Sequence, residues 1–123
     1  MKDIAGTMLG EIEWRFSEPP APSRRSLSLD FRQNVFLMFK ESISNILKHA
    51  KATLVEINIS EIAGEWKMTI RDNGVGFDAN AATRGNGLKN LRRRAEQLKG
   101  TLEIITQSGN STGTIVSFAT RQF

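Results

Sequence analysis

Hydrophobic and polar positions change period several times along this chain, and each period predicts an element. Ile12, Trp14 and Phe16 alternate with Glu11, Glu13 and Arg15, the two-residue repeat of a half-buried strand. Ahead of it, Ile4, Ala5, Met8 and Leu9 resemble a helix tail but are too few to form a helix alone. Pro19, Pro20 and Pro22 then demand an extended connection. From Asp30, a predicted N-cap with Gln33 three residues on, the period lengthens. Val35, Phe39, Ile43, Ile46, Leu47 and Ala50 recur at spacings of three and four, one apolar helix face. Lys48, His49 and Lys51 suit the negative end of that helix.

Alternation returns with Val55, Ile57 and Ile59, and again with Trp66, Met68 and Ile70, two strands joined by a hairpin turn at Ala63-Gly64-Glu65. Asp72-Asn73-Gly74-Val75-Gly76-Phe77 closes the second of these, and residues 78–86 are polar without a period. A second helix is predicted from Gly87, with Leu88, Leu91, Ala95 and Leu98 on one face and Gly100 as C-cap. Strands are predicted over 101–106 and 114–119, flanking a loop at 107–113. Antiparallel hairpins with helices inserted between them imply an α+β fold: a two-layer α/β sandwich, its mixed five-stranded sheet carrying the helices on one face.

Composition narrows the chemistry more than the fold. A chain of 123 residues, 39% hydrophobic and 24% charged, is one globular domain. The absence of cysteine excludes a disulfide framework and thiolate metal sites, and the single histidine, His49, excludes a multi-histidine centre. No apolar run approaches the roughly 18 residues that cross a bilayer. The net charge of +4 suits an anionic ligand or an acidic partner but is too small to argue for nucleic acid. Arg92-Arg93-Arg94 does not change this: three successive helical residues span about 200°, so they cannot all face one phosphate backbone. Trp14 and Trp66 are in phase with the strand cores, and Phe31, Phe36 and Phe39 are expected in the core. Leu37 falls close to the polar side of the first helix, where the pattern does not account for it.

Three local features carry candidate chemistry. Glu41, Asn45 and Lys48 fall on one polar stripe at 100° per residue. Such a stripe can be a solvated face with a weak Glu–Lys pair, or oxygen ligands for a hard cation beside a phosphate-binding amine. Asp72 continues the phase of Trp66, Met68 and Ile70, so its carboxylate is expected on the buried side of the sheet. It can bond the amides of its own glycine-rich turn, or wait for a donor such as the exocyclic amine of a base. Gly74 and Gly76 would let a flat ring approach the backbone. Gly85-Asn86-Gly87 opens the second helix, where backbone amides favour an anion, although a lone Gly-x-Gly is often a mere turn. There is no GxxxxGK[ST] loop.

Taken in order, KESISNILKHAKAT resembles the N box, DNGVGF the first glycine box and GNGLKNLRRRAEQLKG the second glycine box of histidine-kinase ATP-binding domains. The spacing is similar to that of the nitrate-sensor and lipid-desaturation-sensor kinases, and the resemblance covers about residues 27–119. It implies a Bergerat-type fold, with a left-handed βαβ arrangement, binding ATP and Mg2+ beneath a lid. By position, Asp72 would accept from the adenine amine, with Thr114 supporting the contact through water and Gly74, Gly76 and Leu88 around the base. Asn45 would hold magnesium, Lys48 and His49 would lie near phosphates or ribose, and Gly85 and Gly87 would hinge the lid. Phe77 would flank the nucleotide. Glu41 would be the catalytic carboxylate of the N box, a general base in the hydrolysing relatives, here polarising an incoming histidine.

The resemblance also implies partners. The acceptor histidine would stand on a dimerisation domain of the same protein, with a response regulator downstream, and His49 inside the N box is no plausible acceptor. Residues 1–10 would then be the end of the preceding helix or linker and 11–123 the catalytic domain, itself cytoplasmic, of a longer protein that a membrane anchor could hold. Alone, this piece would bind nucleotide, hydrolyse it slowly at most and be monomeric. An anti-sigma-type serine kinase and a nucleotide-binding module without transferase activity are the alternatives.

Overall fold

The computed structural model describes residues 1–18, 28–74, 87–107 and 113–121. In chain order these form α1 (Lys2–Leu9), β1 (Glu13–Ser17), α2 (Leu29–Asn45), β2 (Leu54–Ile62), β3 (Glu65–Asp72), α3 (Gly87–Gln97), β4 (Thr101–Gln107) and β5 (Gly113–Thr120). The sheet order is β1-β2-β3-β5-β4. β1 lies parallel to β2 and every other pair is antiparallel, so the five-stranded sheet is mixed, as the pattern predicted. The crossover from β1 to β2 runs through α2. That helix buries Phe31, Val35, Met38, Phe39 and Ile43 against the sheet.

Alternation decides which side of each strand meets the helices. On β3, Trp66, Met68, Ile70 and Asp72 are all buried, while Lys67 and Arg71 are exposed. The β2–β3 turn is the two-residue Ala63–Gly64 pair, both with positive φ (54° and 79°), whose twist matches a tight hairpin. At the start of α2 the core is aromatic. Phe31 meets Trp66 edge-on at 5.2 Å between ring centroids, and Trp66 meets Phe118 at 6.2 Å.

Several expectations need correction. The N-cap of α2 is Ser28, whose Oγ accepts from the Phe31 backbone N–H at 3.1 Å; Asp30 sits inside the first turn. There its charge still suits the helix dipole. Leu47, placed on the apolar face by spacing, is 44% exposed, because the chain leaves α-helical geometry at Ile46 and the wider π turn over Ile46–Ala50 rotates it outward. Phe36 is only half-buried, with the Lys40 ammonium 5.7 Å from its ring centre. The residues ahead of β1 do form a helix, since Ala5 and Leu9 are buried in the common core and tertiary packing supplies what a short helix lacks.

Gly100 is not the left-handed residue that ends α3. Lys99 is, at φ 54°, and Gly100 follows, donating its N–H to the Ala95 carbonyl at 2.9 Å in a Schellman-type closure. Glycine is required there for another reason: a Cβ would strike the Phe118 ring and the Ala119 carbonyl.

Candidate functional site

The site forms where α2, β3, β5 and the first turn of α3 meet. Ser42 and Asn45 from α2, Ile46 from the π turn that follows it, Ile70 and Asp72 from β3, Thr114 and Val116 from β5 and Leu88 from α3 line one cavity. Its volume is ≈ 10 Å³, about enough for one water, so a larger ligand must part these walls. Asp72, Asn45, Leu88 and Thr114 were all singled out from sequence, and the fold brings these four together.

Asp72 is 4% exposed at the last residue of β3. Its Oδ1 accepts the Gly74 backbone N–H at 2.8 Å. Burial pushes its carboxyl above the ordinary aspartate range, and the backbone N–H groups of Gly74 and Thr114 pull it part of the way back. The turn-bonding and ligand-waiting readings are therefore compatible: one oxygen serves the turn, and the carboxylate still borders the cavity.

The residue after it fixes this strand end. Asn73 Oδ1 accepts from the backbone N–H of both Thr53 and Leu54 at 2.9 Å, and its Nδ2 donates to Thr53 Oγ1 at 2.9 Å. Asn73 so clips the end of β3 to the start of β2. Across the ladder, Thr114 pairs with Asp72 and Thr114 Oγ1 donates to Thr106 Oγ1 at 3.3 Å. Gly113, at φ 145°, lies so close to the Asp72 carbonyl that a Cβ there would overlap it.

Glu41 lies elsewhere. It lines a more open groove of ≈ 300 Å³ on the outer side of α2, together with Leu37, Met8, Asn90 and Arg94. This accounts for Leu37, 39% exposed: it walls that groove rather than the core. Asn45 and Glu41 thus share a helix stripe but not a cavity. Lys48 is exposed on the π turn and borders neither space. Gly87 is the first residue of α3, beside the cavity-lining Leu88. Gly76, Phe77 and Gly85, and the side chain of His49, lie outside the described residues.

Sequence reasoning missed Ser42, Asn73 and the tie between Asn34 and Arg94. Arg94 Nη1 donates to Asn34 Oδ1 at 3.0 Å, and Asn34 Nδ2 donates to the Asp30 carbonyl at 2.9 Å. Of the three arginines, Arg94 alone is drawn in, while Arg92 and Arg93 are exposed. A polar residue interrupting an apolar helix row was the available signal for Ser42. The Asn34–Arg94 tie, spanning 60 positions, had none.

Among the described residues no group of three or more His, Cys, Asp or Glu side chains could hold a metal unaided. The donor set still fits magnesium, which keeps waters and phosphate oxygens and can take a single protein amide such as Asn45. Also among the described residues, no helix is long and apolar enough to cross a membrane.

Known proteins share both sequence and fold with this chain. The family described as "Histidine kinase-, DNA gyrase B-, and HSP90-like ATPase" matches residues 32–122. The chain is 37% identical over 84 residues to the signal transduction histidine-protein kinase/phosphatase DegS of Brevibacillus brevis, covering 68% of this chain and 22% of that protein. It is 35% identical over 97 residues to the nitrate/nitrite sensor protein NarQ of Escherichia coli K12, covering 76% of this chain and 17% of the sensor. The chain therefore spans about a fifth of the length of these curated relatives. The histidine kinase domain of a blue-light activated histidine kinase from Erythrobacter litoralis EL346 superposes with a TM-score of 0.81 at 21% identity, over 98% of this chain and 58% of that one.

Proposed function

The chain belongs to the histidine kinase-, DNA gyrase B- and HSP90-like ATPase family, and we propose on that premise that its cavity takes the adenine of Mg-ATP and presents the γ-phosphoryl group to a histidine on a separate dimerisation domain. One observation carries this reading: a carboxylate 4% exposed borders a cavity whose other walls are largely apolar, with a helix N-terminus alongside. A fold keeps a buried carboxylate in such a place at a cost, and a ligand that donates to it recovers that cost.

On this reading each residue has a part. Asp72 accepts from the exocyclic amine of the base, and Thr114 on the facing strand supports it. Leu88, Ile46 and Val116 exclude water around the ring. Asn45, half-buried beside the cavity, offers its amide oxygen to magnesium. Bound magnesium supplies neutralisation of charge on the phosphate oxygens. Gly87 and its neighbours contribute backbone N–H groups and the positive end of α3 toward phosphate. Gly74, which already gives its N–H to Asp72, leaves room for a flat ring, and Gly76 and Gly85 keep the roles the resemblance implies. Lys48, exposed on the π turn, attracts the anionic ligand, and His49 keeps the role the resemblance implies near phosphates or ribose. Glu41, in the outer groove with Arg94 opposite, orients and polarises the incoming histidine. Catalysis here is positioning and fixed electrostatics rather than covalent chemistry by the protein.

Calorimetric titration tests the binding half: wild-type protein should bind Mg-ATP, and Asp72→Asn should lose most of that affinity because an amide turns a donor toward the amine. Equal affinity in the two proteins would overturn the reading. Transfer to a supplied dimerisation domain, abolished by Glu41→Ala with ATP affinity kept, tests the other half.

A further inference from the structure

One polar side chain in the cavity is assigned no role by the motifs. Ser42 is 2% exposed and lies on the face of α2 turned to the sheet, one turn before Ile46. It lines the same cavity as Asp72 and Thr114. Its hydroxyl donates to the Met38 carbonyl at 2.9 Å, four residues back along the helix.

That hydrogen bond fixes what Ser42 can offer a ligand. A serine hydroxyl has one proton and two acceptor positions. With the proton directed at Met38, the oxygen presents only acceptor capacity to the cavity, and among the described residues none donates to it. An ionised Asp72 is likewise an acceptor only. Ile46, Ile70, Leu88 and Val116 offer neither donor nor acceptor. An aliphatic residue at position 42 would have continued the apolar row of Met38 and Ile46, so the serine adds an oxygen where packing alone asks for none.

We propose that Ser42 is a specificity-determining residue of this pocket: with Asp72 it makes one end rich in acceptors, which selects a base bearing an exocyclic amino group over one bearing a carbonyl. The two N–H bonds of such an amine are divided between the carboxylate and the hydroxyl oxygen. A 6-oxo purine turns its own acceptor toward both and leaves them unpaired, which is how a polar site rejects a near-isostere. The assignment rests on the nucleotide reading above.

The test compares three triphosphates by calorimetry with magnesium present: ATP, inosine triphosphate, and purine riboside triphosphate, which lacks the 6-substituent. Wild-type protein should prefer ATP. Ser42→Ala should weaken ATP about five- to tenfold, the size of one neutral hydrogen bond, and leave purine riboside triphosphate within about twofold. Ser42→Thr, which keeps a hydroxyl able to bond four residues back, should restore the preference, and melting temperatures verify that each variant is folded. If Ser42 only packs the helix, Ser42→Ala weakens all three ligands together; that result overturns the assignment and leaves the nucleotide reading standing. Failure of the wild type to bind any of the three overturns both.

Discussion

The two ends of the α2–β3 contact are built on opposite plans. Where both elements begin, Phe31, Trp66 and Phe118 fill the space between helix and sheet with an edge-on and a tilted ring contact. Where both approach their ends, Ser42, Asn45, Asp72 and Thr114 take the equivalent places and a cavity remains. The same helix and strand are thus sealed with aromatics at one end and left short and polar at the other. Large apolar side chains maximise burial, and each is worth roughly 1.5–3 kcal/mol. Small polar ones give that up and need hydrogen bonds as well. The aromatic end therefore carries stability, and on the proposed function the polar end is the one left to a ligand.

That division is open to attack from the aromatic end first. Trp66→Ala should cost about 3–5 kcal/mol in denaturant unfolding, the usual range for emptying a buried aromatic site. The nucleotide affinity of whatever remains folded should be little changed. A loss under about 1 kcal/mol would remove the contrast between the ends.

At the polar end the pattern should invert. Asp72→Asn should cost about 2–3 kcal/mol of ATP binding, some thirty- to more than hundredfold, because a charged acceptor is replaced by one able to face the ligand with a donor. Its melting temperature at neutral pH should not fall. A variant that both unfolds and loses ligand would make Asp72 a structural aspartate.

A smaller effect separates the clip from the cavity. Asn73→Ala removes the three side-chain hydrogen bonds joining the end of β3 to Thr53 and Leu54, in an exposed setting. About 1–2 kcal/mol of stability should go with them. Asn73→Asp, which keeps both acceptor bonds to the backbone N–H groups, should recover more than half. Equal losses in the two variants would mean that the Nδ2 donation matters most.

How much of this was legible in the sequence follows the same divide. Alternation placed the first three strands to within a few residues, and it put Asp72 on the buried side before any fold was known. Helical spacing found the core face of α2 but carried it one turn too far, to Leu47, because nothing in a spacing rule signals a π turn. Glu41 and Asn45 share a stripe by arithmetic, yet they open into different spaces, since β3 and β5 cover the Asn45 side and α3 closes over the other. The need for glycine at position 100 and the Asn34–Arg94 tie depend on partners distant in the chain, Phe118 for the one and α3 docking on α2 for the other. Local pattern encodes which side of an element is buried; it does not encode what arrives to bury it.

The smallest effect is the sharpest on the polar end, because it needs no ligand. Burial holds the Asp72 carboxyl above its ordinary value of 3.8. A group that binds its proton more tightly folded than unfolded contributes stability that is complete below the unfolded value and is lost as the pH climbs through the folded one. Above both, the fold carries an uncompensated part of a buried charge. Asp72→Asn has no such proton, so the difference between the two proteins isolates this group from the other acids, whose contributions cancel. Melting temperatures at about pH 3, 5 and 7 should show the wild type losing ground to the variant by a few degrees as the pH rises, with the change concentrated just above the ordinary aspartate range. Had the Gly74 and Thr114 amides outweighed burial, the sign would reverse, and the wild type would lose ground as the pH falls. Saturating Mg-ATP should erase the neutral-pH deficit in the wild type alone, because a donor from the ligand then meets the charge that the empty fold leaves unmet.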